Sequence, residues 1–177
     1  MKFHAGRFLA RTLRHDPGSI GISLDPQGWV EIETLLRAAR RNGFPLSRDI
    51  LLQTVAENNK QRFTLSADGR RIRAAQGHSI AVDLGLSPEI PPGALFHGTA
   101  RASLDAIFRE GLRPMRRQHV HLSADPETAR AVGSRHGVEV VLQIDTAAMI
   151  EDALPFWRAD NGVWLTAAVA PKYLSFF

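Results

Sequence analysis

A proline-rich segment near the middle of the chain places the strongest constraint on the fold. The segment LSPEIPPG, residues 86–93, holds three of the ten prolines among 177 residues. Proline fixes φ and removes a backbone donor, so neither a helix nor a central strand is expected to continue through it. We therefore predict two small lobes, residues 1–85 and 93–177, joined by a linker at residues 86–92.

The two halves of the chain differ in charge. Residues 1–80 contain thirteen Lys and Arg against seven Asp and Glu, whereas residues 81–177 contain nine against eleven. A basic first half favours a polyanionic partner such as nucleic acid. The chain has no cysteine, which excludes disulfides and thiolate metal sites. No window approaches the roughly 18 apolar residues of a membrane helix, and we expect a cytoplasmic protein with no membrane partner.

The apolar pattern of the first lobe predicts helices followed by a basic hairpin. Such an order is typical of a winged helix, in which a helix and the hairpin both approach a phosphate backbone. The predicted elements are a helix ending at Arg14, a short strand with Ile20, Ile22 and Leu24, a helix with Ile32, Leu35, Leu36 and Ala39, a helix capped by Ser47, and a hairpin around Asp68-Gly69.

The second lobe alternates short strands with helices. This pattern predicts a compact α+β lobe on a mixed sheet. The predicted elements are a strand at 94–98, a helix ending at Gly111, a strand at 120–123, a helix from Pro126 to about His136 capped by Asp125, a strand at 138–145, and shorter strands near Trp157 and Trp164.

The candidate catalytic residues are mostly arginines and histidines. No GxGxxG, GxxxxGK[ST] or HExxH motif occurs. Arg14 and His15 end the first helix, where basic residues are also favourable merely through the helix dipole. Arg62 starts the hairpin, and MRRQHVHLS (115–123) contains Arg116 and Arg117. Each position alone suits an ordinary basic surface, but Arg14, His15, Arg62 and Arg117 together are typical of a phosphate pocket.

The segment FHGT, residues 96–99, is a candidate ligand site at a strand. His97 and Thr99 would bond ribose hydroxyls there, and Gly98 would allow a close backbone approach. The alternative is a strand with a satisfied core histidine. His119 and His121 are two residues apart on a predicted strand, which suits a metal site in principle, but no third ligand accompanies them.

Several sequence blocks resemble one family in order and spacing. They are FLxxxLRHxPxxIGxxLDxxGW (8–29), KQRF (60–63), IRAAQGHS (72–79), LFHGT (95–99), EGLxPM (110–115), HVHLSAD (119–125) and DNGVWLT (160–166). Together they resemble the RNA 2′-phosphotransferase family, often called tRNA 2′-phosphotransferases. The resemblance covers nearly the whole chain.

The resemblance implies an α+β architecture with an N-terminal winged-helix RNA lobe and a C-terminal ADP-ribosyltransferase-like lobe that binds NAD. It implies removal of an internal 2′-phosphate from RNA, as in tRNA splicing, with NAD as co-substrate and no metal. The RNA 2′-phosphate first attacks C1″ of NAD and nicotinamide leaves. The 2″-hydroxyl of ADP-ribose then attacks that phosphate, which releases 2′-OH RNA and ADP-ribose 1″,2″-cyclic phosphate.

The resemblance also implies residue roles. The catalytic set is Arg14, His15, Arg62 and Arg117, with Arg116 as the alternative to Arg117. His15 acts either on the phosphate or on the 2″-hydroxyl. The NAD-binding residues carried over are His97, His121 and Val163, the last at a position where many related transferases have glutamate, together with Gly98, Thr99, Gly111 and Ser123.

A glutamate at the position of Val163 would be unfavourable for this chemistry. A phosphate is already an anion and needs no general base, whereas a carboxylate beside it would repel it. Arginines supply the positioning and charge compensation that such a substrate requires.

Two other functions fit the same residues. The protein could transfer ADP-ribose to a terminal phosphate of RNA or DNA and stop after the first step. Alternatively, it could be a non-enzymatic winged-helix regulator that senses NAD. The expected partners are RNA carrying a 2′-phosphate and NAD, and nothing in the sequence demands more than a monomer.

Overall fold

A computed structural model describes residues 3–177 of the chain. The chain divides into two compact units, with the boundary between Gly85 and Leu86. Both combine helices with small antiparallel sheets, so the chain belongs to the α+β class.

Within residues 3–85, the first unit contains three α-helices, one 3₁₀ turn and one three-stranded sheet. The strands lie in the order β1-β3-β2, and both pairs are antiparallel. Phe63 pairs with Ala74 and Leu65 with Ile72, which confirms the predicted hairpin. The elements are α1 (Ala5–Arg14), β1 (Val30–Glu31), α2 (Ile32–Arg41), α3 (Arg48–Ala56), β2 (Phe63–Leu65) and β3 (Arg71–Ala74).

The helices of the first unit pack their apolar faces into one core. Leu9 and Leu13 of α1 and Leu35 of α2 are fully buried in it. The N-terminus of α3 is fixed by Ser47, whose hydroxyl accepts a hydrogen bond from the backbone N–H of Ile50 at 3.2 Å, the standard arrangement of a serine N-cap. This confirms the predicted cap.

The second unit contains two three-stranded antiparallel sheets, in the orders β4-β6-β9 and β5-β8-β7. β4 and β6 pair over seven residues. The elements are β4 (Ala94–Ala100), α4 (Leu104–Glu110), β5 (Val120–Leu122), α5 (Pro126–Gly133), β6 (Glu139–Asp145), α6 (Thr146–Glu151), β7 (Trp157–Arg158), β8 (Trp164–Thr166) and β9 (Leu174–Phe176).

Helix α5 packs directly on β4 through two glycines. A Cβ added to Gly98 would lie 1.7 Å from the backbone oxygen of Ala129, and one added to Gly133 would lie 2.8 Å from the backbone oxygen of Thr99. Only hydrogen fits at either position. The pair therefore sets the distance between this helix and the sheet that carries FHGT.

The proline-rich segment is held against the second unit. The backbone N–H of Glu89 donates to Phe156 O at 2.9 Å, and Pro88 forms a bridge with Trp157. Further along, the Thr146 hydroxyl donates to Pro92 O at 2.9 Å. These contacts place residues 88–92 on the surface of that unit.

Three local expectations were wrong. Residues 21–25 form no strand, although Ile20 and Ile22 are buried, because a 3₁₀ turn over Pro17–Ile20 ends in Gly21 at φ 72°. Helix α5 ends at Gly133 rather than near His136. The expected mixed sheet is also wrong, since every strand pair within residues 3–177 is antiparallel.

Within residues 3–177, no helix combines the length and apolarity needed to span a bilayer.

Candidate active site

Arg14 and His15 stand at the end of α1, as the last helical residue and its C-cap. The backbone N–H of His15 still donates to Arg11 O at 2.9 Å. Arg14 is half-buried and His15 is exposed. The helix end therefore presents a guanidinium and an imidazole side by side, at the end where the helix dipole favours cations.

The segment that follows β3 holds this helix end. The backbone N–H of Ser79 donates to Arg14 O at 2.9 Å, and the Ser79 hydroxyl is hydrogen-bonded to His15 Nδ1 at 2.9 Å. A Cβ on Gly77 would lie 3.6 Å from the Arg14 guanidinium carbon, and Gly77 has φ 88°. Glycine at this position thus suits the left-handed backbone conformation, and a Cβ there would make only ordinary van der Waals contact with Arg14.

His78 belongs to the same segment, between Gly77 and Ser79. It is 2% exposed, and burial, followed by the charges of Arg14, Arg73 and His15, lowers its pKa to about 4. Its ring is therefore neutral near pH 7. Its Nε2 is buried and has no hydrogen-bond partner within residues 3–177. The nearby positive charges disfavour a charged imidazolium, so the neutral imidazole is the stable form of this ring.

Arg73 is a buried cation whose charge acts on His78. It is 8% exposed, its guanidinium carbon lies 4.6 Å from the centre of the Trp29 ring, and its Nη1 donates to Leu84 O at 3.2 Å. Cation–π contact and backbone acceptors compensate much of the cost of burying such a charge. Arg14 and Arg73 thus make the surroundings of His78 strongly positive.

Arg62 precedes β2 and reaches the same segment from the other side of the hairpin. Its backbone oxygen accepts from Ala75 N–H at 2.9 Å. A surface cavity of about 390 Å³ opens beside it, lined by Thr54, Glu57, Asn58, Asn59, Lys60 and Arg62.

Residues 75–79 thus contact three predicted catalytic residues of the first unit: Arg62 through its backbone, Arg14 through its backbone and side chain, and His15 through its side chain. Arg62 pairs with Ala75, Arg14 lies against Gly77, and His15 bonds to Ser79.

In the second unit, His97 of β4 is bonded to β5. Its Nδ1 lies 3.1 Å from the backbone oxygen of His121. A carbonyl only accepts, so Nδ1 carries the proton and donates. The pKa of His97 lies below its ordinary value. Burial is the main cause and the charge of His136 adds to it, while the bond to His121 acts in the opposite direction. In the resulting neutral ring, Nε2 is an acceptor, which suits a hydroxyl donor.

Ser123 joins the two sheets of this unit next to His97. Its backbone N–H donates to Phe96 O at 2.8 Å, and its oxygen accepts from Phe96 N–H at 2.9 Å. Thr99 lies two residues after His97 on β4, so the two share a face of the strand, and it is 8% exposed. The structure thus joins His97 to His121 and places Ser123 opposite Phe96, while Thr99 shares the His97 face of β4.

Gly98 and Gly111 both lie against backbone. α5 occupies the space over Gly98, as described above. A Cβ on Gly111, which has φ 80°, would lie 2.2 Å from the backbone oxygen of Val169. Packing within the second unit therefore accounts for glycine at both positions.

Arg117 and Val163 lie in other parts of the second unit. Arg116 and Arg117 are both exposed in the loop before β5, and the backbone N–H of Arg117 donates to Pro114 O at 3.0 Å. Val163 is half-buried directly before β8, and its backbone oxygen accepts from Ala159 N–H at 2.9 Å. β8 pairs with β5, where His121 lies opposite Leu165.

Sequence reasoning missed the residues that hold the Arg14–His15 pair. Gly77, His78 and Ser79 belong to the block IRAAQGHS, which carries the family resemblance but no assigned role. The signal available was the QGHS tetrapeptide directly after a predicted strand.

Among residues 3–177, no group of three or more His, Cys, Asp or Glu is placed to hold a metal ion. His119 packs its ring against Trp157, with the ring centres 5.2 Å apart.

Comparison with known proteins gives a consistent result. The profile described as "RNA 2'-phosphotransferase, Tpt1 / KptA family" matches residues 2–168. The chain belongs to this family. A "Probable RNA 2'-phosphotransferase" of Agrobacterium fabrum is 57% identical over 175 residues, which are 99% of this chain and 94% of that protein. One from Hahella chejuensis is 53% identical over 169 residues, 96% of this chain and 91% of that protein.

Family membership extends across both units, because the matched residues run from the start of α1 through β8. The matched range includes the Arg14–His15 pair with residues 75–79 in the first unit, and the residues described around His97 in the second.

Proposed function

We propose that this chain removes a 2′-phosphate from RNA and uses NAD as the acceptor. The observation that carries the proposal is the pairing of Arg14 with His15 at a helix end held by residues 77–79, in a chain of the RNA 2′-phosphotransferase family. We further propose that the first unit is a winged-helix RNA lobe and the second an ADP-ribosyltransferase-like NAD lobe.

The arginines bind the RNA phosphate in this proposal. Arg14, Arg62 and Arg117 supply planar guanidinium groups, which bond phosphate oxygens in pairs. They hold the 2′-phosphate for attack on C1″ of NAD as nicotinamide leaves. The same groups then compensate the charge that develops on the phosphate when the ADP-ribose 2″-hydroxyl attacks it.

The second unit binds NAD in this proposal. His97 has a neutral ring with Nδ1 committed to His121 O, so its Nε2 accepts a hydrogen bond from a ribose hydroxyl. Thr99 presents a hydroxyl on the same face of β4. Ser123, bonded through its backbone to Phe96, borders this pair. His121 and Val163 complete the proposed lining, while Gly98 and Gly111 are packed against backbone beside it.

Product analysis tests the proposal. The purified chain is incubated with NAD and a short RNA bearing one internal 2′-phosphate, with a chelator present, and the small products are identified by mass. We expect nicotinamide, ADP-ribose 1″,2″-cyclic phosphate and RNA with a free 2′-hydroxyl. The same RNA without the 2′-phosphate is the control.

Two results would contradict it. An RNA that keeps ADP-ribose would indicate a transferase that stops after the first step. A chain that binds NAD and duplex nucleic acid without consuming NAD would indicate a regulator.

A further inference from the structure

Ser79 contacts the Arg14–His15 pair twice, through its backbone and through its side chain. Its N–H donates to Arg14 O and its hydroxyl bonds His15 Nδ1, both at 2.9 Å. From these contacts we infer that Ser79 is a positioning residue, which sets the orientation of the His15 ring for the reaction. This inference rests on the proposed function, because it takes His15 to act on the RNA phosphate or the 2″-hydroxyl.

The backbone contact and the side-chain contact of Ser79 have different effects. The backbone bond ties residue 79 to the end of α1 whatever side chain stands there. The hydroxyl then meets an imidazole on the next residue of the same helix end. A substitution at Ser79 therefore removes the contact with the ring while the chain path is retained.

A serine hydroxyl can bond an imidazole nitrogen whether or not that nitrogen carries a proton. A serine hydroxyl both donates and accepts. It can donate to an unprotonated Nδ1, and it can accept from Nδ1–H in the other tautomer or in the imidazolium. Ser79 thus keeps the ring oriented in every protonation state. A carboxylate here would favour the charged form alone.

The neighbouring residues Gly77 and His78 support this role of Ser79. Gly77 at φ 88° lies against the Arg14 guanidinium, and His78 is 2% exposed. The buried His78 anchors the segment in the unit, while Ser79, one residue further, is exposed beside the exposed His15. One tetrapeptide therefore contacts both residues of the pair.

The experiment compares Ser79→Ala, Ser79→Thr and the control Ser23→Ala, another exposed serine of the first unit. For each full-length variant we measure kcat and the KM for NAD on 2′-phosphorylated RNA, the thermal midpoint, and the ¹⁵N signals of the His15 ring, assigned with His15→Gln.

For Ser79→Ala we expect kcat to fall roughly tenfold, the size of effect that one lost hydrogen bond gives. The KM for NAD and the thermal midpoint stay unchanged, and the His15 ring signals shift. Ser79→Thr keeps the hydroxyl and restores both kcat and the ring signals. Ser23→Ala behaves as wild type.

Wild-type kcat with unchanged ring signals in Ser79→Ala would overturn the inference, and so would a failure of Ser79→Thr to restore them. If the wild-type chain itself does not turn over the RNA, the proposed function is wrong. In that case the role in this reaction falls with it, and the ring signals of Ser79→Ala report only whether Ser79 orients the His15 ring.

Discussion

His97 donates its Nδ1 proton to the backbone oxygen of His121 across the gap between β4 and β5. This bond fixes the tautomer of the ring, and burial keeps it neutral by lowering its pKa. The Nε2 atom is thereby committed to accepting a hydrogen bond. In a chain of this family, that acceptor suits a ribose hydroxyl of NAD.

Replacing His97 is expected to weaken NAD binding. In His97→Ala, the KM for NAD should rise roughly tenfold because one oriented hydrogen bond is lost, while the KM for RNA changes little. Steady-state kinetics with each substrate varied in turn measures both. An unchanged KM for NAD would show that His97 is a core histidine, the alternative that the sequence left open.

Gly98 is expected to matter for stability. In Gly98→Ala, the new Cβ would lie 1.7 Å from the backbone oxygen of Ala129, so α5 must move away from β4. We expect the free energy of unfolding to fall by about 3 kcal/mol, measured by urea denaturation.

Gly93→Ala is the matched control, because no atom lies within 4 Å of its added Cβ, and its effect should stay within about 0.5 kcal/mol. A Gly98→Ala protein with wild-type stability and poor NAD binding would instead assign Gly98 to the ligand.

Local features of this fold were predictable from sequence because their causes are local. Ser47 caps α3, and Asp125 with Pro126 begins α5, since a capping oxygen and a fixed φ act within one helical turn. The Asp68-Gly69 turn similarly fixed the hairpin of β2 and β3.

Long-range features were not predictable in this way. The alternation of Ile20, Ile22 and Leu24 reflects which side chains face the core. Such alternation also occurs in a segment that pairs with no strand, as it does here. β9 pairs with β6, and the paired residues lie 30 to 34 positions apart in the chain, so no local pattern specifies that pairing.

The candidate site shows the same division. Arg14 and His15 stand out locally as a basic helix end. Their contacts with Gly77 and Ser79 join residues more than sixty positions apart, which only the folded chain reveals. The contact of Gly98 with α5 is likewise tertiary.

Arg14 is expected to require a guanidinium. In Arg14→Lys, one positive charge remains, but the planar donor pair that matches phosphate oxygens is lost. We expect kcat to fall on the order of a hundredfold. Arg11→Lys is the matched control, since Arg11 is exposed on the same helix and pairs with Asp16. Equal activity of the two variants would remove Arg14 from the phosphate site.

Arg117 is expected to matter more than Arg116. Both are exposed in one loop, so neither substitution should change the thermal midpoint. Arg117→Ala should lower kcat on the order of a hundredfold, whereas Arg116→Ala should retain most of the activity. The reverse order would transfer the catalytic role to Arg116, and equal small effects would remove both from the reaction.

The stability of the first unit is expected to depend on His78 in mild acid. Its folded pKa is about 4 against an ordinary 6.5, so between these values the unfolded chain binds a proton that the folded chain does not. Stability therefore falls as pH drops from 6.5 towards 4. His78→Gln cannot titrate, so it should lose less stability than wild type over this range. Urea denaturation at pH 7.5, 6 and 5 measures the difference, and parallel losses in the two proteins would show that His78 does not cause it.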